Sequence, residues 1–338
     1  MKKLFLPLAA TALMMLAAAC NKEQIVDPQA EDDTTHVTPP AIEEPTYQEG
    51  IYEPLMKIAS IEKDDGNTDT WNWTGDLLTS VSSTDGTSRQ YTYDNRRLVS
   101  ATGAASGASG DVMFTYDGDQ LARCMVSTND STLAMLTFNH ADGRVSGADV
   151  AVDAQYISGM LDGLIPSMRK GRLFDPKQIT LDENDNSIHV DFVWSGKDVA
   201  RVIVTGDIPF ELTKEMYEAM KPYLPVDSSQ LALVDLYFMI SNSLPMQILV
   251  NDTIDYTYDN KINPFYCYLG EINPTCFSLH NVLSASNQGR VAINVTLMSP
   301  MQVFEQPIED YKVYTYDYND RNYPVEVIGS ENYTITYR

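Results

Sequence analysis

The chain has 338 residues, 47 of them acidic against 23 basic, for a net charge of −24. A balance that acidic, with no basic run in it, argues against a nucleic-acid partner. Four cysteines and four histidines at these spacings supply neither a four-cysteine zinc site nor an HExxH helix, so no metal and no cofactor are expected.

The chain begins MKKLFLPLAATALMMLAAAC. Lys2 and Lys3 precede an apolar run over 4–16, and small residues lead into Cys20. This reads as a secretory signal, too short and wrongly flanked for a spanning helix. The ending Leu16-Ala17-Ala18-Ala19-Cys20 resembles a bacterial lipobox. The resemblance implies cleavage after residue 19 and a diacylglycerol thioether on Cys20. The protein would then be an outer-membrane lipoprotein, held to the membrane through acyl chains. Losing Lys2 and Lys3 would move the net charge from −24 to −26. Residues 20–54 read as the lipidated cysteine and an acidic, proline-rich tether that cannot bury enough apolar surface to fold. The acidic residues soon after Cys20 weakly resemble the export tags of surface lipoproteins in Bacteroidetes. Both the periplasmic and the outer face are therefore open expectations.

From residue 55 to 338 a single β-rich domain is expected. The string YTYDN at 91–95 returns at 256–260, with FTYDG at 114–118 and YTYDY at 314–318. Tyr91 and Tyr93 point to one face of a strand, and Asp94-Asn95 supplies turn chemistry before the next apolar run. The unit is a β-hairpin. The aromatic before the turn is read as Trp73, Tyr93, Tyr116 and Phe138, at spacings of 20, 23 and 22 residues. YDGDQLARCMV (116–126) and WSGKDVARVIV (194–204) align over their length. Repetition on this scale predicts stacked units that pair with their neighbours. The fold expected is mainly β (α+β): an antiparallel hairpin meander forming one large curled sheet, with two or three helices inserted and packed on one face.

The helical insertions are placed near 153–170 and 213–244. The first carries Tyr156, Ile157, Met160, Leu161, Leu164, Ile165 and Met168 at helical spacing. In the second, Thr213 caps a helix running to about Met220. A further helix over SSQLALVDLYFMISNSL (228–244) is apolar on nearly every side and is expected to pack on the sheet's inner face. A carrier reading would instead line a lipid groove with Leu231, Leu236, Phe238 and Met239.

The string FNHADGRV at 138–145 resembles the aromatic-Asp-x-x-Gly-Arg signature of YD repeats, found in Rhs and teneurin-type shells. The strings at 256–270 and 314–327 resemble Bacteroidetes lipoproteins of unknown function related to YD repeats. The resemblance spans roughly 70–338 and implies architecture rather than chemistry. Only one unit keeps Gly-Arg, so a single curled sheet is expected rather than a long enclosing shell.

No catalytic residue stands out. GAASGASG at 103–110 lacks the strand-to-helix elbow of a serine hydrolase and a Walker lysine. LDENDNSIHVD at 181–191 begins like a calcium loop but lacks its glycine and terminal glutamate. Cys267 and Cys276, nine apart, can close a disulfide in an oxidising compartment or stand as free thiols on neighbouring strands; Cys124 is left as a buried thiol. His140 is expected to be solvated in a turn. Trp71 and Trp73 share a strand face and are candidates to stack on a ligand, against a purely structural role. The leading functional expectation is a non-catalytic envelope protein that binds or scaffolds, with a glycan or envelope protein as partner. The alternatives are a carrier of a lipid-like ligand and a hydrolase with an unrecognised carboxylate pair.

Overall fold

A computed structural model describes residues 43–338 except 106–107, 129–130, 155–156, 158–178, 182–186, 222–227, 272, 297–299 and 331. Among the described residues, eighteen strands join in one antiparallel sheet. Nine of them form an uninterrupted meander: β1 (Ile58–Lys63), β2 (Thr68–Thr74), β3 (Leu77–Ser83), β4 (Ser88–Asp94), β5 (Arg97–Ala105), β6 (Ala108–Asp117), β7 (Gln120–Thr128), β8 (Ser131–Ala141) and β9 (Arg144–Val152). After a short β10 (Ile179–Leu181), the chain resumes beside β9 with β11 (Ser187–Ser195), followed by the long β12 (Asp198–Thr213), β13 (Ser243–Ile262), β14 (His280–Thr296) and β15 (Pro300–Val313). The last strands, β16 (Thr315–Tyr318), β17 (Pro324–Ile328) and β18 (Tyr333–Tyr337), lead back to β1.

The sheet curls on itself until one run of chain carries both of its borders. Strand β15 pairs with β14, and one residue later β16 pairs with β17. Tyr314 bridges the two, its N–H donating to the Leu283 carbonyl at 2.8 Å. The result is a near-closed barrel, the large curled antiparallel sheet expected.

The repeated string is what locks neighbouring hairpins. Tyr93 opposes Leu98 while Thr92 opposes Ser100, so Val99 is an extra residue on the returning strand. The same bulge follows Trp73, Tyr116, His140 and Trp194. A bulge bends the strand and raises its twist, which a sheet closing on itself needs. Most of these turn-flanking rings then reach the preceding hairpin. Tyr93 Oη donates to Leu78 O, Tyr116 Oη to Leu98 O, Trp194 Nε1 to Val145 O and Tyr258 Oη to Val199 O, at 2.7 to 2.9 Å. Trp73 Nε1 donates to Ile58 O at 2.8 Å and Tyr316 Oη to Val282 O at 2.6 Å.

At three of these joints a cation completes the lock. Arg97 donates to the turn carbonyl of Gly118 at 2.9 Å and lies 4.9 Å over the Tyr116 ring. Arg144, the arginine of the Gly-Arg pair, does the same to Gly196 (2.8 Å) and Trp194 (4.5 Å). Lys57 bonds Gly75 O at 2.8 Å and sits 5.7 Å from Trp73. At Asn95-Arg96 and Asp142-Gly143 both central residues have positive φ, 47° and 71°, then 54° and 77°, the backbone of a type I′ turn.

One unit differs from its sequence reading. The residue in the locking position of FNHADGRV is His140, not Phe138, because His140 opposes Val145 across the turn. Phe138 is two residues earlier and packs inward, 7% exposed. His140 is not solvated either: its Nε2 lies 2.9 Å from Glu49 Oε2, and the Glu49 carboxylate also accepts from Leu121 N at 2.5 Å. Residues 43–57 thus belong to the folded body, correcting the tether boundary at 54. Tyr52 donates to Pro264 O at 2.6 Å, and Gly50 O accepts from Leu98 N at 2.8 Å.

The two described helices link β12 to β13 at the end of the sheet opposite the turns that join β4 to β5, β6 to β7 and β8 to β9. Thr213 caps α1 (Lys214–Met220) as expected, accepting from Met216 N at 3.4 Å. Helix α2 (Ser228–Tyr237) is shorter than 228–244 and is not apolar-buried all round: Val234 and Phe238 enter the core, whereas Leu233 and Leu236 are more than half exposed. Residues 243–262 form the twenty-residue β13 instead, with Leu244, Met246, Ile248 and Val250 alternating inward. Of the insertion near 153–170, Ile157 is in the core, and most of the rest lies outside the described residues.

Candidate functional site

The second YTYDN copy, at 256–260, does not close with a two-residue turn. The chain between Ile262 and His280 runs into the barrel as a plug before β14 begins. The plug is mostly irregular backbone, so side-chain amides hold it. Asn263 accepts from Phe265 N at 2.9 Å and donates to the carbonyls of Thr275 and Ser278 at 3.2 and 3.1 Å. Asn273 caps a short 3-10 helix (Pro274–Phe277), accepting from Thr275 N at 3.0 Å. Tyr268 projects into a ring cluster, its centroid 5.1 Å from Trp71 and 5.2 Å from Tyr52, and its hydroxyl meets that of Tyr91.

Between plug and wall lies a cleft of about 740 Å³, within the size range of small-ligand sites. Its lining is rich in aromatic rings: Trp71, Tyr256, Phe265, Tyr314, Tyr316 and Tyr333. Interleaved with them are opposed charges, Asp69 beside Trp71 on β2 and Lys63 paired across from Tyr333. Lys63 bonds Asp69 at 2.8 Å, Arg89 on β4 bonds Glu271 of the plug, and Lys312 lies 3.4 Å from Asp310. The lumen is therefore close to charge-neutral in a strongly acidic protein. Each cleft carboxylate is engaged by a cation, and the pairs are part-exposed, so solvent weakens them.

Asp252 sits at the margin of this site. It points inward between Val250 and Ile254, is fully buried, and burial pushes its pKa up to about 6. Asn287, which lines the cleft, hydrogen-bonds it and draws the value partly back. Opposite stands Gly289, where an added Cβ would come within 2.4 Å of Asp252 Oδ1 and 2.5 Å of Asn251 O.

The two tryptophans separate in role. Trp73 does not line the cleft, and its N–H is spent on the hairpin lock. Trp71 does line the cleft, with 6% of its surface exposed, and its Nε1 is buried without an acceptor. Leu236 and Met239 stand in solvent and Phe238 in the core, so no groove unites them with Leu231. Cys124 is fully buried on β7, where burial raises its pKa. Cys267 and Cys276 are both buried thiols in the plug. Cys20 lies outside the described residues.

Among the described residues no cluster of three or more His, Cys, Asp or Glu could hold a metal ion, and no helix is long and apolar enough to cross a membrane. Sequence reading missed Arg89, Glu271, Lys63 and Asp69. Their signal was faint, since polar residues on alternating strands ordinarily face water. The chain matches no protein-family model and no curated protein.

Proposed function

We propose that this protein is a non-catalytic envelope lipoprotein, anchored through Cys20, whose lumenal cleft binds a segment of glycan. The observation that supports the reading is the cleft lining, aromatic rings interleaved with paired charges. Sugars present apolar ring faces for stacking and vicinal hydroxyls for carboxylate and cationic donors and acceptors. Of the partners expected from sequence, a glycan suits this wall better than a lipid-like cargo. An acyl chain would strip water from Lys63, Asp69 and Arg89 and return nothing to them.

The test is native mass spectrometry of the exported protein, followed by titration against a panel of oligosaccharides. Saccharide adducts should appear and weaken at least tenfold in Trp71→Ala. Glu271→Gln, at an exposed position, gives a second variant should Trp71→Ala fail to fold, and it should weaken binding severalfold. Co-purifying lipid would install the carrier reading in place of this one, and a bare protein that binds no saccharide would end it.

A further inference from the structure

The plug holds two thiols that the proposed ligand site does not use. Cys267 N donates to Cys276 O at 2.7 Å. An amide nitrogen lies about 1.46 Å from its own α-carbon, and a carbonyl oxygen about 2.4 Å from its own. The two α-carbons are therefore roughly 6.6 Å apart at most, inside the span of about 4.4–6.8 Å that a disulfide bridges. Both side chains are buried, 4% and 3% exposed, and charge on Cys267 raises the Cys276 pKa, a sign that the sulfurs are neighbours. Cys267 also holds a left-handed backbone, φ +63°, which a residue with a Cβ adopts only when its surroundings impose it. Cys276 itself lines the cleft.

We propose that Cys267 and Cys276 are oxidised to a disulfide in the exported protein, fastening the floor of the cleft across a ten-residue loop. Two thiols lose two protons and two electrons as the S–S bond forms. The electrons pass through a mixed disulfide to the disulfide of an envelope thiol oxidase, which leaves as its dithiol. The timing follows from burial. Attack needs a thiolate, and burial holds the Cys267 thiol at a pKa of about 12 in the folded plug. The bond therefore forms while the plug is still open, and the folded, reduced protein reoxidises slowly.

The experiment uses the full chain exported to an oxidising periplasm and purified without reductant. It is unfolded in alkylating agent, digested and mapped by mass. The expected result is one peptide pair, holding Cys267 and Cys276, two hydrogens light, with Cys124 alkylated. Alkyl label on both Cys267 and Cys276, or a bridge through Cys124, overturns the proposal. The second readout is melting temperature. Reductant should lower it by about 5 °C in the wild type and leave the Cys267→Ser/Cys276→Ser variant unmoved. A wild type equally stable with and without reductant would show that the bond fastens nothing. Neither readout depends on what the cleft binds.

Discussion

At Asp252 the alternation that builds the wall delivers a carboxyl to a row otherwise occupied by Val250 and Ile254. Its folded pKa of about 6 lies above the ordinary 3.8, so the folded state holds the proton more tightly than the unfolded chain does. That contribution to stability is complete below about pH 4 and is lost as pH rises through about 6. Asp252→Asn removes the titration. The variant should gain on the wild type between pH 4 and pH 7, by up to about 3 kcal/mol, read from urea midpoints at the two values. A difference that stays constant with pH would refute the assignment. Gly289→Ala should be destabilising by about 2 kcal/mol or more, because the contacts it meets include backbone as well as the carboxylate. Neither effect was legible in the sequence. An Asp in an alternating strand reads as a solvated residue until the opposite face is known to be solvent as well.

Tyr116 carries the same lesson to the hairpin. Its ring packs on Arg97 and its hydroxyl satisfies Leu98 O, so Tyr116→Phe keeps the ring and strands the carbonyl. A loss of about 1 kcal/mol is expected in chemical denaturation. Tyr311→Phe, at a ring 55% exposed, should change stability by a few tenths at most. If the two variants cost the same, the lock is not what holds the units together. The period of the repeats and the hairpin turns were readable because side-chain chemistry writes them directly. The lock was not, since its acceptor is a main-chain carbonyl in the preceding unit and any residue supplies one. The misplacement of Phe138 for His140 has the same root: the aromatic was the visible mark, while the bulge position decides the role. In the segment 228–244, continuous apolarity hid a change of period, from the short α2 to the two-residue alternation that opens β13.

Across the whole molecule, the curled sheet was legible and its interior was not. A hairpin count predicts a large antiparallel sheet, whereas the plug at 263–279 is written as a plain loop with Asn, Pro and Gly in it. Net charge is the other property that belongs to this scale. At −24 the chain repels itself, and salt screens that repulsion. The melting temperature should climb by a few degrees between 10 and 150 mM sodium chloride, and a flat or falling response would show that local pairs such as Arg201–Asp255 dominate instead. Closure through the single run from Pro300 to Tyr318 has a consequence for descent. The joint between one hairpin and the next asks for a ring and a carbonyl, with a cation added at some joints, so it is indifferent to how many units stand in the circle. Duplicating one stretch of some twenty residues would widen the bore without redrawing any joint, and losing one would narrow it. In such a lineage the calibre of the chamber is inherited as a number of copies, while what fills the chamber is left to a single interrupted turn.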